Sequence, residues 1–222
     1  MNSSLAKAKQ FGQESNSFST GFWLWSTFFL SSLLWSSLMP KDRFTWWLEV
    51  IPALVGACIL LLTRKSFRFT TLVYVLLLLH CFILFVGGKY TYAEVPLFNW
   101  LRDIFHQSRN NYDKIGHLAQ GFIPAMVARE LLWRRKIVSK KSWLAFLVIC
   151  IALAISALYE LIEWGAALAT GEAADAFLGT QGYVWDTQSD ILMALIGAIL
   201  ALITLSHWHD QQMENLRSKR SY

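Results

Sequence analysis

Six blocks of apolar residues, each long enough to cross a bilayer, restrict this chain to an all-α, polytopic membrane fold. They run over about 21–39, 46–63, 68–87, 114–133, 143–169 and 186–208. A helix rises about 1.5 Å per residue, so roughly 20 residues cover the ~30 Å hydrocarbon layer. The fifth block is longer than that and must tilt or project. Pro52 and Pro124 fall inside blocks, where a membrane helix tolerates a kink. Trp23, Trp25, Trp35, Trp46, Trp47, Trp133, Trp143, Trp164, Trp185 and Trp208 stand near block ends, where amphipathic rings prefer the headgroup level. Only 16% of the residues are charged, against about a quarter in soluble domains. Cys58, Cys81 and Cys150 each lie within an apolar block and read as small buried hydrophobes, not as disulfides or zinc ligands.

The net charge of +5 would prompt a test for nucleic-acid binding in a soluble protein, but here the basic residues sort by side. With the N-terminus inside, Lys41, Arg43, Lys89, Arg102, Arg109 and Lys114 face out, and the rest of the 20 Lys and Arg face in. That asymmetry predicts six spans with both termini in the cytoplasm of a bacterial inner membrane, and no nucleic-acid partner. Residues 1–19 form an N-terminal tail, 20–208 the transmembrane domain and 209–222 a C-terminal tail. Two outer loops exceed what a helix connection needs: 88–112, in which 96–106 suits a short interfacial helix, and 170–185, whose glycines suit a lid. His207 and His209 read as interfacial.

Three polar signatures break the apolar pattern: NYDKIGHLAQG (111–121), YELIEW (159–164) and WDTQSD (185–190). The topology places all three toward the outer leaflet. Asp113, His117, Gln120 and Pro124 step by 4, 3 and 4, one stripe of a helix. Ser156, Glu160 and Glu163 make a second stripe, and Asp186, Asp190, Met193 and Gly197 a third. Charges at span ends often serve only as anchors, and Lys114 suits a plain ion pair with Asp186. Yet a carboxylate at the bilayer centre costs about 2.5–3.5 kcal/mol, and such groups usually work together. The expected site has His117, Glu160 and Glu163 as acid/base groups, with Asp113, Lys114, Gln120, Asp186 and Asp190 binding substrate or ion. Carboxylates with one imidazole suit Mg, Ca, Mn or Zn, and Asp113, His117, Glu160 and Asp190 are the metal candidates. Membrane lipids and a lipid-linked headgroup are the expected partners. The same residues would also serve a proton- or cation-coupled transporter, and a non-catalytic scaffold is the third reading.

The stretches DKIGHLAQG, SALYELIEW and GEAADAFLGTQGYVWDTQSD, with the apolar helix that follows, resemble the YjdF-like family of bacterial inner-membrane proteins. The order Asp-Lys-x-x-His, Glu, then Asp with a polar partner four residues on is also similar to the VanZ-like membrane proteins. That family is linked with teicoplanin resistance and the cell envelope. Its pattern has Gln where Glu163 stands and Asn where Asp190 stands, so this chain is the more acidic. Its Gly three residues after the Asn is Met193 here. The resemblance implies an outer-leaflet polar site and names no substrate.

Overall fold

The computed structural model describes residues 20–170 and 180–218, and these form seven α-helices and no strand. They are α1 (Thr20–Ser37), α2 (Arg43–Thr63), α3 (Thr71–Tyr90), α4 (Pro96–Ile104), α5 (Tyr112–Arg134), α6 (Lys141–Thr170) and α7 (Asp186–Ser218). Four of them, α2, α3, α6 and α7, are long and apolar enough to cross a membrane by length and composition alone. Their outward faces carry exposed Leu62, Leu158, Leu168 and Ile203, side chains that water would penalise and lipid accepts.

Helix boundaries follow local chemistry. Asp42 caps α2 by accepting from the Thr45 N–H at 2.6 Å. Thr70 caps α3, and Thr91, in the left-handed region at φ 58°, ends it. α4 opens on a proline and buries none of its residues; Leu97, Trp100 and Ile104 stay exposed on one face. A short helix is therefore present where the sequence led to one over 96–106, ending two residues earlier.

α5 is the hub, packed against α3, α6 and α7, while α3 in turn carries α1 and α2. The main core joins Leu76, Ile123, Met126, Val148, Ala152 and Ala198 from α3, α5, α6 and α7. A second joins Phe29, Trp46, Val50, Ala53 and Phe85 from α1, α2 and α3. Trp46 is therefore a core residue and not part of an interfacial belt, its indole N–H donating to Ser36 Oγ at 3.1 Å. Trp25 likewise turns inward, donating to the Tyr74 carbonyl at 2.9 Å and stacking on Phe29. Of the cysteines only Cys81 is buried; Cys58 and Cys150 lie on exposed helix faces, which corrects the reading of all three as core residues.

α5 and α7 touch backbone to backbone. A Cβ on Gly121 would stand 1.8 Å from the Ala194 carbonyl oxygen, and one on Gly197 would stand 2.1 Å from that of Leu118. Gly121→Ala should therefore force the two helices apart and cost about 3 kcal/mol, the upper part of the usual range for overpacking. Gly165→Ala, with open space around it, should leave thermal unfolding in detergent unchanged. Equal melting temperatures for the two variants would refute the close contact.

The last helix runs to Ser218, well past the expected end at 208, because its final turns are docked. Gln212 Oε1 accepts from the Leu72 N–H at 3.0 Å, and Asp210 pairs with Arg129 at 2.8 Å. His209 is fully buried, so the interfacial reading of it is corrected. Its Nδ1 faces Arg129 Nη1 at 3.3 Å. A guanidinium only donates, so Nδ1 must accept, and the Nε2–H donates to Glu130 Oε2 at 2.9 Å. Glu130, also fully buried, further accepts from the Thr70 N–H and hydroxyl and from Arg134.

Candidate functional site

The polar residues picked out by sequence gather at the N-terminal end of α5, between α6 and α7, about 20 Å of helix away from Glu130 at the helical rise. Asp113, His117 and Gln120 are buried on one face of α5, Glu160 is buried on α6, and Asp186 and Asp190 are buried on α7. One ligand atom each from Asp113, His117 and Asp190 lies within 4.8 Å of the others.

The imidazole is held from both sides. Its Nδ1 faces Gln120 Oε1 at 3.1 Å and Glu160 Oε1 at 3.7 Å, while Nε2 faces Asp113 Oδ1 at 3.4 Å. Each ring nitrogen thus faces an acceptor and has a place for a proton, and a cation would take the place of the proton between Nε2 and Asp113. A metal-ligating histidine is held in this manner, with its second N–H given to an outer acceptor. Glu160 thus stands outside the three-atom group and acts on the far nitrogen, in contrast with its expected place as a fourth ligand. Glu163, one turn further along α6, is half-buried and enters no ion pair among the described residues. It lies outside the three-atom ligand group but within electrostatic reach of Glu160, Asp113, Glu49 and Asp190.

Two basic residues stand among the carboxylates. Lys114 Nζ lies 2.9 Å from Asp190 Oδ1 and 3.5 Å from Asp186 Oδ1, so its expected partner is the farther of the two. Arg109, which the sequence treated only as a loop charge, is buried and donates from Nη1 to Asp186 at 2.5 Å and to the Thr180 carbonyl at 3.2 Å. The segment that carries it is fixed by buried Asn110. The Asn110 amide donates to the Val95 carbonyl at 3.0 Å and to Asn99 Oδ1 at 2.8 Å, and the Asn110 backbone exchanges two hydrogen bonds with the Gln181 side chain. Tyr183 covers both cations, its ring centre 5.4 Å from the Arg109 guanidinium carbon and 5.2 Å from Lys114 Nζ.

Glu49 of α2 is the residue that sequence reasoning missed most plainly. It is 2% exposed and accepts from the Tyr159 hydroxyl at 3.1 Å, with the Tyr92 phenol at the same carboxylate. Tyr92 fits because both flanking positions are glycine: a Cβ on Gly87 or Gly116 would meet its ring at 2.0 or 2.7 Å. Tyr159 in turn stands edge-on to His117. The available signal was a lone carboxylate in an otherwise apolar span.

Counting Asp113, Asp186, Asp190, Glu160 and Glu49 against Arg109 and Lys114, carboxylates exceed permanent cations by three. Several polar atoms also lack a hydrogen-bond partner among the described residues: Asp113 Oδ2, Glu160 Oε1, Ser156 Oγ and the Nε and Nη2 of Arg109. Such orphans cost about 1–3 kcal/mol each, more when charged, and mark a site built for something further. The proposed lid falls largely on residues 171–179, outside the described residues, and so does Gly179. Of that loop, Thr180 to Trp185 is described, with Gly182 at φ 80°.

The sequence matches the DUF2238 family, described as predicted membrane proteins, over residues 21–211. It is 50% identical over 181 residues to the inner membrane protein YjdF of Escherichia coli (strain K12), covering 82% of this chain and 87% of that one. No solved structure matches it. Matched over nearly all its apolar helices, the chain belongs to the DUF2238 family and is a YjdF-like, multi-pass protein of the bacterial inner membrane.

Proposed function

We propose that the protein binds and acts on the polar headgroup of a lipid or lipid-linked envelope molecule, using a divalent cation held by Asp113, His117 and Asp190. The observation that carries this reading is the convergence of those three buried ligand atoms within 4.8 Å in a lipid-embedded bundle. Oxygen donors with one imidazole suit Mg, Mn or Zn, and the cation would offset the surplus of buried carboxylate. Glu160 stands on the far side of His117, outside the ligand group, and its carboxylate is the general base of the site. Metal analysis and lipid mass spectrometry on the purified protein test this: one equivalent of divalent metal or a retained headgroup-bearing lipid supports it, and neither would refute it.

All six long helices, α1 to α3 and α5 to α7, span the bilayer in this reading, with both termini inside and the site at the periplasmic face. α4 lies along the outer interface with its apolar face in the headgroups. In a background lacking the native cysteines, Val184→Cys should react with an impermeant maleimide added to intact spheroplasts, and Ile137→Cys only after lysis. Both positions are exposed. The reverse pattern would move the site to the cytoplasmic face.

Transport is the weaker reading. Between the acidic site and Glu130, the buried positions of α5 and α7 include Ile123, Ala125, Met126, Ala198 and Ala201, a dry stretch without ionisable groups. A proton relay needs polar groups or water at intervals across that depth.

A further inference from the structure

We infer that the ligand of this site carries a phosphate group, read by the free edge of Arg109; the inference rests on the cation reading above. A guanidinium binds oxyanions best through two parallel N–H groups along one edge. In Arg109 one end is taken, since Nη1 serves Asp186 and the Thr180 carbonyl. The side-on edge, Nε with Nη2, is buried and has no hydrogen-bond partner among the described residues. Asp113 Oδ2 makes an ion pair with Nη2 at 3.5 Å and is likewise without a hydrogen bond. A buried charged fork with unused donors is costly unless a ligand completes it.

Asp113 decides what that ligand is. It borders Arg109 through Oδ2 and belongs to the cation group with His117 and Asp190. A bare anion at Arg109 would be repelled by Asp113, and a cation on the adjacent group removes that repulsion. The ligand that suits both positions is an oxyanion that bridges the cation and the guanidinium. A carboxylate has two oxygens and would spend both on the fork. A phosphate gives two to Arg109 and keeps one for the cation, the usual manner in which Mg or Mn joins few protein carboxylates to a substrate phosphate. Tyr183, over both Arg109 and Lys114, closes the cationic side of the same place.

The test uses full-length protein in maltoside micelles, which hold no phosphate. Mn²⁺ is titrated by electron paramagnetic resonance alone, with inorganic phosphate, with short-chain phosphatidic acid, and with the matching uncharged diacylglycerol. Phosphate or phosphatidic acid should tighten Mn²⁺ binding by about tenfold, and diacylglycerol should not. Tightening by both identifies a free or headgroup phosphate, and tightening by phosphatidic acid alone identifies a lipid headgroup; either supports the inference. Arg109→Lys keeps the charge and loses the fork, so its Mn²⁺ affinity with phosphate should equal its own affinity without it. Arg109→Gln, compared in the same way with itself, should lose the tightening too. Normal Mn²⁺ binding that neither phosphate tightens would overturn the inference and leave the cation reading standing, as would equal tightening in Arg109→Lys. Failure of the wild type to bind Mn²⁺ would overturn both.

Discussion

Replacing Glu130 with alanine should destabilise the protein by about 3–5 kcal/mol, the usual loss when one member of a buried ion pair is removed. The carboxylate is fully buried and receives donors from two helices and a cap: His209 of α7, Arg134 of its own helix, and both the amide and hydroxyl of Thr70, the N-cap of α3. Its removal strands all of them at once. Glu130→Gln keeps the shape and one acceptor oxygen, so it should lose less. Because His209 and Glu130 act as a unit, the double variant Glu130→Ala, His209→Ala should be little worse than either single one. Thermal unfolding of the wild type, Glu130→Ala, Glu130→Gln, His209→Ala and the double variant in detergent measures this. A drop of under about 1 kcal/mol for Glu130→Ala would mean that the α3–α5–α7 junction is held by its apolar contacts alone.

That junction also shows where sequence reasoning ran out. Glu130 and Arg134 are four apart, a spacing that reads as an ordinary surface pair on a helix. His209 lies just past an apolar block and reads as interfacial. Only the docking of ten further residues of α7 against Thr70 and Leu72 turns both into core, and nothing local records that docking. The acidic site was more legible. Asp113, His117 and Gln120 repeat at helical spacing, so their common face was readable, and the order of segments brought Glu160 and Asp190 to the same end. Glu163 shared that periodicity with Glu160, but a step of three residues carries it to the edge of the face. Glu49 and Arg109 reach the site from α2 and from a loop, through Tyr159 and Asp186 that lie far along the chain. Their membership is a fact of tertiary packing.

A cation-dependent function requires Asp113, His117 and Asp190 to form one cation-holding site. The most direct measurement is Mn²⁺ titration by electron paramagnetic resonance on wild type, His117→Gln, Asp190→Asn and the double variant, with Glu163→Gln as a bystander. Wild type should bind one equivalent. Each single substitution at the site should weaken binding by at least about tenfold, the lower end of what even outer-sphere partners cost. The double variant should be far from additive, since one lost ligand already opens the site. Glu163→Gln should lose far less than either single substitution at the site, because its carboxylate is not one of the three ligand atoms. Saturable wild-type binding with this pattern is the predicted result. No specific Mn²⁺ signal in the wild type, or small and additive losses from the two substitutions, would contradict it.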